Sequence, residues 1–458
     1  MSAPLHNNIE PRPIPLLGNL TRYAFNPLEE ALRARREHGR VVRYWIRTPA
    51  KQVVAWLLTS PEHAEQVLVE NHRNYRKADT YESLRWALGD GMLTSEGETW
   101  RRQRRIATPA FGRERLRQML PVAVRHTSAL ADRLERTADS ADLHSEANAL
   151  ALLVLCETIF STAIADHTTA IGEHLERMIK HAVDRIRIPV PLLHELPLPA
   201  NRRARRARAS MNALVDRIVT EAERRTPAGD DLISLFLSAS DPETGQRMSR
   251  IQLRDEVLTF LAAGHETTAN GLAFTLHLLA RNPLWQERAV EEIRAVVGDG
   301  PLTFEHLPRL DLLRRIIDES MRLFPPAWSV ERNALGDDHF DDHRVAAGEM
   351  VMLSIWAIHR NELHWPDPER FDPDRFLPAN STSRHRMAFL PFGLGPRMCI
   401  GKHFALFELQ AMLATLLPRL HFSPVTDKPL HLDPLVTLRP RHGVPLRVTL
   451  RSSAQAAT

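Results

Sequence analysis

"PFGLGPRMCIG", residues 391–401, places one of only two cysteines in the chain between glycines and beside an arginine. Gly393 and Gly395 tolerate positive φ angles, so this stretch can fold into a tight turn. An apolar helix is predicted directly afterwards, at 400–417, which puts the sulphur of Cys399 at a helix N-terminus. The dipole and the free N–H groups there favour a thiolate. The stretch therefore predicts a metal ligand, although a disulfide with Cys156 is also possible.

A single cysteine limits the types of metal site that this stretch could form. A structural zinc needs about four ligands, and no CxxC pair lies near Cys399 in the sequence. Two cysteines far apart fit a reducing cytosol better than a disulfide framework. A lone thiolate suits an iron whose other ligands come from a macrocycle, which is haem. Cys156 is then best interpreted as a small buried apolar residue.

The composition is that of an ordinary globular protein, with 458 residues, 43% of them hydrophobic and 25% charged. The sequence has no repeat, low-complexity tract or linker, which predicts one domain over 1–458. A formal charge of +4 is too small to argue for nucleic acid. The N-terminus has no apolar run that would make a signal peptide or a membrane anchor. Two basic stretches, 100–105 and 201–208, either face an acidic partner or are solvated helix faces.

Hydrophobic periodicity predicts a mainly α protein with minor β structure. Helices are predicted at 26–39, 61–70, 98–135, 141–164, 168–186, 203–225, 249–282, 284–297, 311–323 and 400–417. Short strands are predicted at 41–46, 52–58, 344–354 and around 435–450. We expect these strands to form a minor sheet from both ends of the chain.

The predicted helix 249–282 has a capping-box spacing at its start and stops before Pro283. Apolar residues surround most of it, which is typical of a helix buried through the centre of a domain. Its middle reads "AGHETT", 263–268, where a glycine, a carboxylate and two hydroxyls each cost local stability. Residues that lower local stability are expected mainly at functional sites. A groove at Gly264 beside an acid and an alcohol could hold a small polar ligand and relay protons; a bend satisfied by buried water is the alternative.

The cysteine stretch, FGxGxRxC followed by Gly401, resembles the haem-ligand signature of the cytochrome P450 family. Five more blocks resemble family motifs and follow the family's order: "RPIPLLGNL" the proline-rich entry, "WRRQR" the WxxxR motif, "AGHETT" the oxygen-activation segment, "ESMR" the ExxR helix, and "FDPDRF" the PERF block. The last departs from the family by reading PDRF, which exchanges one acid for another. The resemblance implies the family's fold, a single large triangular helical domain with small sheets.

The resemblance also implies roles for the matching residues. Glu266 and Thr267 would be the acid–alcohol pair that delivers protons while O2 is activated. Glu319, Arg322 and Arg375 would form a buried structural cluster that supports the cysteine loop. Contacts with haem b are expected from Cys399 as the axial iron ligand, from Arg397, Arg104, Trp100 and Arg332 at the propionates, and from Phe392, Gly393, Ala263 and Gly264.

The implied activity is that of a haem-dependent monooxygenase, which inserts one oxygen atom of O2 into a lipophilic small molecule. A terpenoid or fatty-acyl substrate is expected. The motifs resemble the eukaryotic-type branch, but without an anchor we expect a soluble, cytoplasmic, monomeric prokaryotic enzyme of secondary metabolism. Because no flavin or iron–sulphur domain follows residue 458, reducing equivalents are expected from a separate ferredoxin or flavodoxin with its reductase. A haem-thiolate peroxygenase or isomerase and a non-catalytic haem sensor are the alternatives.

Substrate contacts are expected, by family analogy, from residues 77–93, 178–197 and 325–331 and from the long helix near its glycine. No charged recognition cluster is evident, and Arg85 is a weak candidate for holding a carboxylate. The apolar candidates, each of which could equally be core packing, are Trp86, Leu88, Met92, Ala262, Trp328 and Val330.

Overall fold

A computed structural model describes residues 9–13, 18–47, 52–137, 139–160, 168–188, 190–224 and 232–451. Most of the proline-rich N-terminal segment and residues 161–164 of one predicted helix lie outside these ranges. The α-helices are α1 (Leu20–Phe25), α2 (Pro27–His38), α3 (Pro61–Glu65), α4 (Tyr81–Leu88), α5 (Gly97–Ala107), α6 (Arg113–Thr137), α7 (Leu143–Phe160), α8 (Thr168–Arg187), α9 (Pro191–Glu195), α10 (Pro199–Arg224), α11 (Leu232–Ser238), α12 (Arg250–Arg281), α13 (Pro283–Val297), α14 (Asp311–Leu323), α15 (Ile355–Ile358), α16 (Pro378–Ser381) and α17 (Lys402–Leu416).

The strands are short and belong to several small sheets. They are β1 (Val41–Arg47), β2 (Gln52–Leu58), β3 (Tyr75–Lys77), β4 (Ser140–Asp142), β5 (Ser329–Ala334), β6 (Asp338–Phe340), β7 (His343–Val345), β8 (Met350–Ser354), β9 (Leu420–Pro424), β10 (Leu432–Pro434), β11 (Leu438–Pro440) and β12 (Pro445–Leu450). Helices therefore dominate, as predicted. None of the helices in the described ranges combines the length and the apolar character needed to cross a bilayer.

The chain forms two compact units, and the first contains Met1–Tyr81 and Met321–Cys399. Its five-stranded sheet has the order β1-β2-β8-β5-β3. β8 pairs in parallel with β2 and antiparallel with β5. Four of the five residues of β8 are buried, which suits an apolar strand in the interior of a sheet. This unit carries the cysteine loop.

The second unit contains Glu82–Ser320 and Ile400–Thr458. Its long helix α12 packs against α7 and α17 and is buried along most of its length. The predicted capping box is confirmed, because the Ser249 hydroxyl and the Gln252 side chain each bind the other's backbone N–H. A three-stranded sheet, β4-β12-β9, and the β10–β11 pair complete this unit. The predicted single-domain organisation stays a prediction.

Two sequence predictions about the fold are wrong. The strand predicted around 435–450 does not join the strands predicted near the N-terminus, because β1 and β2 share a sheet with β8 whereas β12 lies between β4 and β9 in another sheet. The predicted helix 98–135 is two helices, α5 and α6, separated by a 3₁₀ turn at Thr108–Phe111. Pro109 lies in that turn and Gly112 follows it, and both residues favour a break in a helix.

Candidate active site

The cysteine loop is closed by a backbone hydrogen bond, in which the N–H of Cys399 donates to the carbonyl of Phe392 at 2.9 Å. Gly393 and Gly395 have φ angles of +64° and +76°. A β-carbon at Gly395 would lie 1.9 Å from the carbonyl oxygen of Leu68, so that position requires glycine. Cys399 is exposed and stands just before the N-terminus of α17. The loop therefore holds the thiol in a fixed, accessible place.

Each unit leaves an apolar surface uncovered by protein. In the first unit, the exposed Cys399 is accompanied by half-buried Phe392 and Leu394. In the second unit, Ala263 is exposed in the middle of α12, although the helix around it is otherwise largely buried. Apolar surface next to a thiol suits a flat apolar ring whose metal accepts a thiolate ligand. Haem b is such a group, so Cys399, Phe392 and Leu394 of the first unit fit the cofactor that the sequence predicts.

Two of the arginines predicted at the propionates lie in the first unit near Tyr81. Arg332 is buried in β5 and donates to the carbonyl of Glu331 at 2.8 Å. Burial raises the pKa of the Tyr81 phenol, and the positive charges of Arg332 and Arg397 oppose that rise. In the other unit, Trp100 and Arg104 lie one turn apart on α5, and both are half-buried. Two guanidinium groups near one phenol suit the binding of carboxylates; Tyr81 was not predicted.

Arg322 and Arg375 both bind main-chain carbonyls of the segment 366–370. The guanidinium of Arg322 is fully buried and donates to the carbonyls of Pro368 (2.7 Å), Arg370 (3.3 Å) and His359 (3.0 Å). Arg375 donates to the carbonyls of Pro366 and Asp367. Glu319 is also fully buried, one turn before Arg322 on α14. The arginines thus fix an irregular segment, which is consistent with a structural role.

His359 connects this segment to the cysteine loop and was not predicted. Its Nδ1 donates to the carbonyl of Arg322 (3.2 Å), and its Nε2 accepts the N–H of Leu390 (2.8 Å), the residue that precedes the loop. Because a carbonyl cannot donate and an N–H cannot accept, both bonds require the neutral ring. Burial, together with the charges of Arg322 and Arg360, lowers the pKa of His359 to about 3.

This neutral histidine makes stability depend on pH. Below about 6.5 the unfolded chain protonates His359, whereas the folded chain does so only below about 3, so acidification favours unfolding within that interval. We expect His359→Asn to flatten the pH dependence of the unfolding free energy by about 1.4 kcal/mol per pH unit at most. Urea unfolding at several pH values measures this slope. The exposed His403→Asn is the control, and an unchanged slope in His359→Asn would contradict the prediction.

The AGHETT segment is a continuous part of α12. The hydroxyls of Thr267 and Thr268 donate to the carbonyls of Ala263 (2.7 Å) and Gly264 (3.1 Å), one turn earlier. A β-carbon on Gly264 would lie 3.0 Å from Leu155 of α7. The direction of a side chain at 264 is therefore occupied by a neighbouring helix. The predicted ligand groove at Gly264 stays a prediction.

Glu266 lines a cavity of about 480 Å³ within the second unit. Its carboxylate accepts a hydrogen bond from the hydroxyl of Thr437 (2.8 Å). His265 and His144 also line the cavity, and burial lowers the pKa of each ring. Nδ1 of His265 donates to the carbonyl of Leu261 (2.6 Å), which leaves Nε2 as an acceptor in the neutral ring. A cavity with this many polar groups can hold water beside the acid.

The predicted substrate contacts have other partners in the protein. Leu88 and Met92 are buried by protein, and Ala262 lines the cavity beside Glu266. The ring of Trp86 packs against His181 and lies under Arg185 and Arg208. Trp328 and Val330 pack against buried clusters of the first unit. These placements favour core packing, most clearly for the completely buried Leu88.

The charged candidates also form ion pairs or hydrogen bonds with other groups of the protein. Arg85 binds Glu82 and the carbonyl of Thr94, so its guanidinium is not held ready for a substrate carboxylate. In the stretch 100–105, Arg101 pairs with Glu98 and Arg105 with Asp241. The basic character of that stretch is thus partly neutralised.

The second cysteine is as predicted, since Cys156 is fully buried and burial raises the pKa of its thiol to about 12.

The sequence and the fold were both compared with those of known proteins. The sequence model of a family described as Cytochrome P450 matches residues 10–446. The chain is 36% identical over 422 residues to cyclooctat-9-en-7-ol 5-monooxygenase of Streptomyces melanosporofaciens, covering 91% of this chain and 89% of that protein. It is 31% identical to pentalenene oxygenase of Streptomyces avermitilis, covering 97% and 98%. The crystal structure of the cytochrome P450DA heme domain superimposes with a TM-score of 0.85 at 28% identity, covering 97% of each chain.

Proposed function

The chain belongs to the cytochrome P450 family, and we propose that it hydroxylates a terpenoid. It is a monooxygenase that uses haem b, O2 and reducing equivalents and acts on a lipophilic small molecule. The observation that supports the terpenoid class is the naming of two relatives, at 36% and 31% identity, for oxidation of terpenoids. Both relatives are matched over nearly their whole length, which makes them informative about the pocket as well as the fold.

Cys399 would be the axial ligand, because its loop fixes an exposed sulphur before the N-terminus of α17, where a thiolate is favoured. Haem held there supplies an iron centre that activates O2. Arg332 and Arg397, whose positive charges both act on the hydroxyl of Tyr81, would bind propionate oxygens. Arg104 and Trp100 on α5 are proposed for the same task. The Glu319, Arg322 and Arg375 cluster would hold the backbone that leads into the cysteine loop.

Protons would reach the reacting oxygen through Glu266 and Thr267. The hydroxyl of Thr267 donates a hydrogen bond to the carbonyl of Ala263, and its lone pairs can accept a hydrogen bond from a neighbouring water. Glu266, which directly precedes Thr267 in the sequence, lines a polar cavity that can hold water. The acid would therefore exchange protons with the cavity, and the alcohol would present them in order at the oxygen. Such ordering matters, because a misplaced proton releases peroxide instead of product.

The role of Thr267 predicts a specific failure. In Thr267→Ala we expect reductant and oxygen consumption to continue, while product formed per reductant falls roughly tenfold or more and peroxide replaces it. Parallel measurements of reductant, peroxide and product test this. Thr268→Ala is the matched control, since Thr268 makes the same bond to a carbonyl one turn earlier but is buried. Equal coupling in the two variants would remove Thr267 from the proton route.

The electron donor is proposed to be a separate protein of the ferredoxin or flavodoxin type, with its own reductase. A small acidic donor would complement the arginines of α5, of which Arg101 is exposed and Arg102 is half-buried. A cytoplasmic location and a monomeric state are proposed with it. Reconstitution with donors of each type, at varied ionic strength, distinguishes them by the rate of reduction.

The proposed substrate class is tested by optical titration of the purified ferric enzyme. A substrate that displaces the water on the iron converts low-spin to high-spin iron and shifts the Soret band. We expect saturable shifts with cyclic terpenes and terpene alcohols, and none with fatty acids of similar size. Saturation with fatty acids alone would overturn the terpenoid proposal while leaving the monooxygenase activity intact.

A further inference from the structure

One face of the five-stranded sheet in the first unit carries an acid in apolar surroundings. Glu331 of β5 pairs across the sheet with Met352 of β8, and cross-strand partners point to the same face. Met352 belongs to a buried apolar cluster that includes Tyr23 of α1. The next residue of β5 in the N-terminal direction, Val330, packs against a different cluster, as the alternation of side chains along a strand requires. Glu331 therefore shares its face of the sheet with Tyr23.

The Glu331 carboxyl has few partners in the protein. The hydroxyl of Ser329 donates to its Oε1 at 2.7 Å, and within the described ranges no salt bridge reaches it. The adjacent Arg332 donates instead to the main-chain carbonyl of Glu331 at 2.8 Å. Burial raises the pKa of Glu331, as expected for a carboxyl removed from water without a bound cation. Such a group lowers stability, so folding alone does not explain its presence on an apolar face.

The phenol of Tyr23 is a second unusual feature of this face. Its hydroxyl is buried, and none of the described residues makes a hydrogen bond with it, although buried hydroxyls usually have a partner. Burial and the charge of Glu331 raise the pKa of Tyr23, so the phenol is protonated at neutral pH and can donate. The face thus offers an unused donor, together with a carboxyl that can accept more hydrogen bonds than the one it has.

Protein does not fully cover the surface beside these groups. β5 lies between β8 and β3 in the sheet, yet Ser329, Glu331 and the preceding Trp328 are only half-buried. Because both edges of an inner strand are hydrogen-bonded to neighbouring strands, this exposure lies on a face of the sheet. The uncovered surface therefore combines an aromatic side chain with a carboxyl and a hydroxyl. It suits a ligand that has an apolar body and a polar group able both to donate and to accept.

We propose that Glu331, supported by Ser329 and Tyr23, binds a hydroxyl group of the substrate. The substrate hydroxyl would donate to the Glu331 carboxyl and accept from the Tyr23 phenol, with the apolar skeleton against Trp328. This inference rests on the proposed terpenoid class and narrows it to terpenes that already carry an alcohol. The reaction that supplies the substrate must then introduce a hydroxyl, as a cyclisation that ends with the capture of water does.

Optical titration of the full-length ferric enzyme with matched pairs tests the inference. Each pair is a hydrocarbon and an alcohol of the same skeleton: limonene and terpineol, cedrene and cedrol, phytene and phytol. We expect the alcohol to bind roughly tenfold or more tightly in the pairs that shift the Soret band, because a hydrocarbon leaves the polar groups unpaired. Equal constants, or tighter binding of the hydrocarbons, would overturn this inference alone. No shift with any of the six compounds would overturn the terpenoid class on which it rests.

Variants of the acid test whether Glu331 is responsible. Glu331→Leu should weaken binding of the alcohols roughly tenfold while binding of the hydrocarbons is unchanged or tighter. Glu331→Gln keeps an acceptor and should retain most of the preference for alcohols. Glu362→Leu removes an exposed acid of the same unit and should change neither constant. The haem spectrum and circular dichroism verify folding. A loss in Glu331→Leu that is equal for alcohols and hydrocarbons would refute hydroxyl recognition.

The phenol is tested by a pair of conservative variants. Tyr23→Phe removes the unused donor but keeps the ring, so binding of the alcohols should weaken roughly threefold or more and binding of the hydrocarbons should not change. Tyr44→Phe is the matched control, because Tyr44 lies in the same apolar cluster and its hydroxyl donates to Glu30 at 3.0 Å. Equal effects in the two variants, or none in Tyr23→Phe, would exclude Tyr23 from the site.

Discussion

Replacing Cys399 by serine should give a protein whose haem, if retained, no longer shows the spectrum of thiolate ligation and which no longer oxygenates substrate. A serine hydroxyl is not ionised at neutral pH, so the iron loses the anionic sulphur that donates electron density to it. The loss of activity should exceed the roughly 100-fold that removal of an outer-shell partner typically costs. The spectrum of the carbon monoxide complex and the rate of substrate oxidation provide the two measurements.

Cys156→Ser is the matched control for this substitution. It removes the other thiol of the chain from a fully buried position in the second unit. Its cost is the burial of a hydroxyl, about 1–3 kcal/mol of unfolding free energy if the hydroxyl finds no partner. The haem spectrum should therefore persist. A thiolate spectrum retained in Cys399→Ser but lost in Cys156→Ser would reverse the ligand assignment.

Arg322→Ala should yield protein that contains little or no haem. The guanidinium binds three carbonyls, at residues 359, 368 and 370, and alanine leaves these buried acceptors without their donor. The expected loss of unfolding free energy is about 3 kcal/mol or more, since hydrogen bonds to charged groups contribute about 1.5–3 kcal/mol each. The haem-to-protein ratio and urea unfolding measure the two effects.

Arg370→Ala is a suitable control because it changes an arginine in the same segment. Its guanidinium is largely exposed and pairs with Asp372 at 2.6 Å, an interaction that contributes at most about 1 kcal/mol. We expect full haem content in this variant. If Arg322→Ala also retains haem and stability, the buried arginine does not support the cysteine loop, and its structural role is incorrect.

Local signals in the sequence predicted the elements that carry the chemistry. The boundaries of α12 follow from the capping box and from Pro283, and both are properties of a few neighbouring residues. The turn at Gly393 and Gly395 was predictable for the same reason. The bonds of Thr267 and Thr268 to carbonyls one turn earlier depend only on helix geometry.

Residues that act across long sequence separations were missed. His359 binds Arg322 and Leu390, and Thr437 binds Glu266, which lies 171 positions away. Neither histidine nor threonine has a local pattern that marks such a partner. The placement of β12 in a sheet apart from β2 and β8 was missed for a related reason, since an isolated apolar strand does not specify its neighbour. Periodicity also could not separate a broken helix from a continuous one at Pro109.

The close approach of Leu155 to Gly264 limits how this protein can diverge or be redesigned. A β-carbon at 264 would lie 3.0 Å from the leucine of α7, so the Leu155 side chain would have to shift by a few tenths of an ångström. Such a substitution should be better tolerated when residue 155 is smaller, for example in Gly264→Ala together with Leu155→Val. We therefore expect the two positions to covary in size among related sequences, so a mutant library that varies 263–268 should vary 155 with it.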